Sequence, residues 1–178
     1  GEDYPNLLNM AIDIIKFGAQ GITIHPRPDE RHIRYGDAID LKKNISCELN
    51  IEGNPIKKFV DLVNEVKPAQ VTLVPDSEDA ITSNSGWDTV TNYTFLKDIV
   101  DDFKSNSIRV SIFINPDIKM LEGAKKIMIA VGGKSKFPNF NGNECMINSD
   151  KALDLEKLPK SIIIYGSGYI AVEFAGIF

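Results

Sequence analysis

Short apolar runs alternate along residues 1–126 with segments whose apolar positions recur every three or four residues. The runs predict buried strands and the segments between them predict helices. The predicted strands are residues 21–25, 45–51, 71–75 and 108–114. Helices are expected from Pro5 to Gly18, over 37–41, from an Asn54 N-cap, and after Asn115. This alternation predicts βαβ units, a parallel sheet and an α/β fold, and leaves open whether the sheet closes as a barrel.

The pattern changes after residue 126. Residues 127–131 and 161–165 predict two further strands, with a short helix over 150–158 between them. A glycine turn then precedes an apolar helix that begins at Tyr169 and still continues at the last residue. A natural domain is not expected to end inside a helix. We therefore divide the chain into residues 1–126 and residues 127–178.

Composition excludes several classes of partner. The net charge is −5, which gives no basic surface for a nucleic-acid backbone. No apolar run has membrane-spanning length, so no membrane partner is expected. The two cysteines are far apart and the chain has only two histidines, so we predict no metal site. Reduced cysteines of this kind are typical of a cytoplasmic protein.

Candidate chemistry is concentrated after the first predicted strand. His25, Arg27, Arg31 and His32 lie within eight residues, and Glu52 follows the second strand. Arginine presents a planar fork suited to phosphate, whereas an imidazole and a carboxylate can exchange protons near neutral pH. This set predicts acid–base chemistry on a phosphorylated substrate. A solvated charged loop with a structural histidine explains the same residues without any function.

Five motifs in the first part resemble one enzyme family. They are GITIHPRPDERHI, NIEGNP, KPAQVTLVPD, DAITSNSGWD and RVSIFINPD, in that order. Residues 1–126 thereby resemble pyridoxine 5′-phosphate synthase, a TIM-barrel transferase. The resemblance implies condensation of 1-deoxyxylulose 5-phosphate with 3-amino-2-oxopropyl phosphate in vitamin B6 synthesis. It also implies no cofactor and a homo-oligomer, since the family forms octamers.

The resemblance assigns roles to individual residues. It implies that His25 and Glu52 are catalytic, and that Arg27, His32 and Thr82 bind the sugar phosphate. The alternative interpretation of Thr82 is that it only forms part of a turn. The family's first barrel strand would lie before the first residue here, and its later catalytic histidine and glutamate would follow the matched part. We therefore expect ring-closing turnover by this chain alone to be weak or absent.

The second part carries a glycine motif in a strand–turn–helix context. Gly166 permits a tight turn, Gly168 lets backbone approach a pyrophosphate, and Ala171 allows close helix packing. The runs IMIAVGGKSKFPNFNG and LPKSIIIYGSGYIAVEFAGIF resemble glutathione reductase and related flavin disulfide reductases. That resemblance implies a Rossmann-like fragment in which Gly166, Gly168, Tyr169 and Glu173 contact NADPH. A turn without a ligand is the plainer interpretation.

Three functions follow from these observations. The leading one is a pyridoxine 5′-phosphate synthase activity on small phosphorylated substrates, because its residues include candidate acids and bases. The second is a fragment of an NADPH- and FAD-dependent disulfide reductase, for which no flavin segment or cysteine pair is present in the sequence. The third is a non-catalytic α/β chimera of the two parts.

Overall fold

A computed structural model describes residues 6–76, 85–130 and 132–178. It divides the chain into two compact units, Gly1–Met128 and Ile129–Phe178. The two units are described separately.

The first unit is a four-stranded sheet with one helix before each strand. All neighbouring strands are parallel, and their order in the sheet follows the chain. The strands are β1 (Gly21–Ile24), β2 (Glu48–Gly53), β3 (Gln70–Leu73) and β4 (Arg109–Ile112). The helices are α1 (Leu7–Lys16), α2 (Tyr35–Asn44), α3 (Lys57–Val66) and α4 (Tyr93–Ser105). This arrangement confirms the predicted α/β fold and is consistent with part of a TIM barrel.

The two faces of the sheet have opposite character because strand side chains alternate. On β2, Leu49 and Ile51 are buried among the apolar residues of the four helices. Asn50 points to the other face, where its amide donates to Thr23 Oγ1 over 3.3 Å and its carbonyl oxygen accepts from Thr72 Oγ1 over 3.1 Å. One face of the sheet therefore forms the core, and the other presents a row of polar side chains.

Gly53 and Phe59 fix how closely α3 approaches the end of β2. Phe59 lies in the first turn of α3 and is 1% exposed. A Cβ atom at Gly53 would lie 2.3 Å from Phe59 Cε2, so only glycine leaves room for the ring. This contact holds the β2–α3 connection against the core.

Several predicted helix boundaries are wrong. The third helix begins at Lys57 with Ile56 as its N-cap, because Asn54 instead donates from Nδ2 to the carbonyl oxygen of Asp76. The helix expected after Asn115 is only a 3₁₀ turn, Ile118–Leu121, capped by Asp117. Asn115 Oδ1 accepts from the Gly86 amide over 2.9 Å, which gives Asn115 a structural role.

After residue 126 the described part of the chain forms helices, but neither of the two predicted strands is seen there. Helices α5 (Ser149–Leu153) and α6 (Tyr169–Ile177) form, and α5 is shorter than the predicted 150–158. Residues 127–130 and 161–165 are irregular, and Val131 lies outside the described residues. A strand needs a neighbour to pair with its backbone. Within the described part of the chain no strand lies beside either run, and Ile163 is 94% exposed.

Among the described residues, no helix combines the length and apolar character needed to cross a bilayer.

Candidate active site

The site lies at the carboxyl-terminal edge of the sheet, where parallel strands bring their ends together. Ile24 pairs with Ile51 across β1 and β2, so the next residues, His25 and Glu52, are neighbours. Asp76 follows β3 by three residues and reaches the same edge. Three strands thus contribute one titratable side chain each.

His25 stands between two carboxylates. Its Nδ1 is 3.8 Å from Glu52 Oε1, and its Nε2 is 3.9 Å from Asp76 Oδ2. Both separations exceed hydrogen-bond length, so neither carboxylate is bonded directly to the ring. Distances of this size are common at acid–base sites without substrate, where bonds shorten when the ligand binds.

Arg27 forms the cationic side of the site. Its guanidinium nitrogen is 3.5 Å from Asp76 Oδ2, with 11% of the arginine and 7% of the aspartate side chain exposed. A buried charge pair requires further polar support. Asn54 donates over 2.6 Å to the backbone carbonyl oxygen of Asp76 and so holds the loop after β3 in place.

Burial and neighbouring charges shift the pKa of His25 and that of Glu52 toward each other. Burial, helped by Arg27 and Arg31, lowers the pKa of His25 from its usual 6.5, and Asp76 partly opposes this. Burial first, and then Asp76, raises the pKa of Glu52 from its usual 4.5, against the effect of Arg27. A smaller gap between two pKa values favours proton exchange between the groups.

The lowered pKa of His25 predicts a pH-dependent stability. Between the folded pKa and 6.5, the unfolded chain binds more protons at this residue than the folded chain does. Stability contributed by the neutral ring is therefore complete above pH 6.5 and is lost as the pH falls below it. We expect the free energy of unfolding of wild type to fall relative to that of His25→Gln as the pH is lowered through 6.5. Urea denaturation at several pH values measures both.

His32→Gln is the matched control, because it removes the other histidine of the chain and keeps His25. It should retain the wild-type decline. The raised pKa of Glu52 acts with the opposite sign, since the folded chain binds the extra proton above pH 4.5. The Glu52 contribution is present both in wild type and in His25→Gln, so it largely cancels when the two are compared. Parallel curves for wild type and His25→Gln would contradict the prediction.

The structure joins three of the five residues assigned to the leading site. His25, Glu52 and Arg27 lie together, with Asp76 between the histidine and the arginine. His32 is exposed in the loop before α2, and among the described residues no hydrogen bond or ion pair joins it to the other three. Thr82 lies outside the described residues.

Sequence reasoning missed Asp76 and Tyr35. Asp76 has the same signal as His25, since it is a polar residue immediately beyond an apolar strand. Tyr35 is the first residue of α2 and lines the cleft of His25, Arg27 and Asp76. Nothing in local sequence separates such a tyrosine from an ordinary surface residue, because its position depends on how α2 packs.

The glycine motif of the second unit has the positive φ that the predicted turn requires, but residues 166 and 167 form no regular turn. Gly166 has a φ of +150°, and a Cβ there would lie 3.4 Å from Ala171 Cβ. Gly168 is the N-cap of α6. Tyr169 and Glu173 lie on this helix, and both are exposed. The predicted strand before this turn is absent, as described above. The described groups of histidine, cysteine, aspartate and glutamate include none suited to hold a metal ion.

Two protein families match the chain over different residues. The family described as "Pyridoxal phosphate biosynthesis protein PdxJ" matches residues 1–131. The family described as "Pyridine nucleotide-disulphide oxidoreductase" matches residues 97–178, so the two overlap near the middle of the chain.

Curated relatives agree with the first match. Proteins named pyridoxine 5′-phosphate synthase from Christiangramia forsetii and Flavobacterium johnsoniae are 63% identical over 124 residues and 60% identical over 126 residues. One from Cytophaga hutchinsonii is also 60% identical over 126 residues. These alignments cover 70–71% of this chain and 52–53% of each relative. The chain therefore spans about half the length of the relatives it matches.

Proposed function

The chain belongs to the PdxJ family of pyridoxal phosphate biosynthesis proteins, and from that premise we propose that residues 1–126 bind 1-deoxyxylulose 5-phosphate for a pyridoxine 5′-phosphate synthase reaction. In that reaction the sugar phosphate condenses with 3-amino-2-oxopropyl phosphate, with loss of water and inorganic phosphate. The observation that carries the proposal is His25 held between Glu52 and Asp76, beside the cation of Arg27.

Arg27 has the chemistry to bind the substrate phosphate. Its guanidinium is nearly buried at the edge where the strands end, and charge-assisted bonds are strongest where water is excluded. In the proposed complex the phosphate accepts from the guanidinium fork on the side that faces the cleft. His32 and Thr82 are proposed to contact the same substrate from the loops after β1 and β3.

His25 and Glu52 are proposed to move protons. Condensation of an amine with a ketone forms a carbon–nitrogen double bond, which requires proton removal from nitrogen and proton donation to the leaving water. A neutral imidazole accepts the first proton, and its lowered pKa favours that neutral form. Glu52 lies beside Nδ1 of the same imidazole and can exchange the proton with the ring. This chemistry uses side chains alone, so the proposal includes no resident cofactor.

The proposal also includes the cellular compartment and the oligomeric state of the protein. We place the protein in the cytoplasm, with small phosphorylated molecules as ligands and with copies of itself as its protein partner. Size-exclusion chromatography with light scattering tests the assembly. A monomer at micromolar concentration would remove the homo-oligomer from the proposal without affecting the site.

Incubation with both phosphorylated substrates, followed by detection of pyridoxine 5′-phosphate, tests the whole reaction. Calorimetric titration with 1-deoxyxylulose 5-phosphate tests the binding step separately. Binding without product would favour the non-catalytic α/β chimera with residual phosphate recognition. A wild-type chain that neither binds the sugar phosphate nor forms product would overturn the proposal.

Glu52→Gln is expected to separate proton transfer from binding. The change keeps the size of the side chain and removes its basicity, so affinity for the sugar phosphate should change by less than about twofold, whereas any product formation should fall by about 10²–10⁴. Titration and product detection measure the two effects.

Glu48→Gln is the matched control for Glu52→Gln. Glu48 lies on the same face of β2, four residues earlier, where it pairs with Arg109 on the exposed surface. It should change neither affinity nor turnover. A large loss of affinity in Glu52→Gln would assign Glu52 to binding instead.

We propose as a second candidate that residues 127–178 are part of an NADPH-binding region of a flavin-dependent disulfide reductase. The match over residues 97–178 and the close approach of the Gly166 backbone to Ala171 favour it. In this alternative Gly168, Tyr169 and Glu173 contact the nucleotide, and FAD would be the hydride acceptor. Titration with NADPH, followed by the fluorescence of the nicotinamide ring, tests it, and an unsaturable signal would count against it.

A further inference from the structure

The hydroxyl group of Tyr35 is buried without a hydrogen-bond partner. Among the described residues it is one of two buried side-chain polar atoms in this state, the other being Trp87 Nε1. An unsatisfied buried hydroxyl weakens a folded protein, because its bonds to water are lost and not replaced. A buried hydroxyl of this kind is retained most readily where a ligand supplies the missing hydrogen bond.

Contacts on the outer side hold the tyrosine in one orientation. Lys58 Nζ lies 4.1 Å from the centre of its ring and 3.0 Å from Glu30 Oε1. Glu30 Oε2 also accepts from the Tyr35 backbone amide over 3.1 Å. The bond to Glu30 fixes the N-terminus of α2, and the contact with Lys58 fixes the plane of the tyrosine ring. Turning the phenol to solvent would break the contact between its ring and Lys58 Nζ.

The ring lines the cleft that holds His25 and Arg27. His25, Arg27, Asn54 and Asp76 line it together with Tyr35. The cavity is about 10 Å³ in volume, which is room for roughly one water-sized atom. An oxygen atom of a larger ligand fits such a space, whereas a carbon ring does not.

We propose that the Tyr35 hydroxyl donates a hydrogen bond to a phosphate oxygen of the ligand that Arg27 holds. The inference rests on the proposed function, since it names a further contact to the same phosphorylated substrate. Tyr35 is thereby a binding residue and takes no part in proton transfer.

The electrostatics of the cleft agree with a donor at this position. Burial raises the pKa of Tyr35, with a smaller contribution in the same direction from Glu30 and an opposing one from Lys58. The phenol therefore keeps its proton at neutral pH and can donate it in a hydrogen bond to an acceptor. An anionic oxygen is the strongest acceptor that a phosphorylated substrate offers.

Tyr35→Phe separates a ligand contact from a structural bond. Because the hydroxyl has no partner in the ligand-free protein, its removal should leave the melting temperature unchanged or raise it. Affinity for 1-deoxyxylulose 5-phosphate and for inorganic phosphate should both fall about tenfold or more, as expected for a bond to a charged group. Calorimetry and thermal denaturation with and without ligand provide these values. Tyr93→Phe, at an exposed tyrosine, is the control that should change neither.

Four results would overturn the inference. A lower melting temperature of ligand-free Tyr35→Phe, or its failure to fold, would mean that the hydroxyl already has a structural partner. A loss confined to the sugar phosphate, with inorganic phosphate bound as in wild type, would place the contact on the sugar. Equal affinities in Tyr35→Phe and wild type, with Arg27→Ala weakened, would remove Tyr35 and leave the proposed function intact. Absence of binding by wild type would remove both.

Discussion

Phe59→Ala is expected to lower the free energy of unfolding by about 3–5 kcal/mol, the usual cost of removing a buried phenylalanine ring. The ring is 1% exposed, packs in the main core and lies against the backbone of Gly53 at the end of β2. Its loss leaves a cavity that the sheet cannot close, because β2 is paired on both sides. Urea or thermal denaturation measures the loss.

Gly53→Ala tests the same contact from the other side. The added Cβ would lie 2.3 Å from Phe59 Cε2, so overpacking should cost about 1–3 kcal/mol in wild type and much less in Phe59→Ala. Gly36→Ala is the control, since nothing lies within 4 Å of its added methyl group and a helical glycine gains stability on this change. Additive effects of the Gly53 and Phe59 changes would show that the two do not touch.

The proximity of His25 and Glu52 could be predicted from sequence because it follows from topology alone. Each residue directly follows or ends an apolar run, and neighbouring parallel strands end at one edge of a sheet. The same rule applies to Asp76, which lies beyond β3, but a carboxylate after a proline is also typical of an ordinary loop. The burial of Asp76 depends on Asn54 and Arg27, and local sequence does not report those contacts.

Strands 127–131 and 161–165 were predicted on the same local evidence as β1 to β4, and this evidence was insufficient. A run such as Ile162, Ile163 and Ile164 shows only that the backbone tolerates an extended form. Whether it becomes a strand depends on a neighbour that can pair with it, and pairing is a long-range property. The helix that begins at Tyr169 formed as predicted, because its backbone bonds are all internal.

Arg27→Ala is expected to weaken binding of 1-deoxyxylulose 5-phosphate by about 1.5–3 kcal/mol, the range for hydrogen bonds to a charged group. That corresponds to about 10- to 150-fold in the dissociation constant. The guanidinium is nearly buried beside Asp76, so an alanine removes the cation that is proposed to bind the phosphate and leaves the Asp76 carboxylate to repel the ligand. Calorimetric titration at one salt concentration measures the change, since screening alters charge interactions.

Loss of the Arg27–Asp76 pair also destabilises the fold, so the binding result needs two controls. Arg27→Ala combined with Asp76→Asn removes the buried carboxylate charge as well, and should recover stability without recovering affinity. Arg31→Ala removes an arginine of the same loop that pairs with Asp29, and should bind the sugar phosphate nearly as wild type does. If Arg27→Ala binds as tightly as wild type, or if Arg31→Ala loses as much affinity, then the phosphate does not depend on Arg27. The residues after β1 would in that case form a charged loop around a structural histidine.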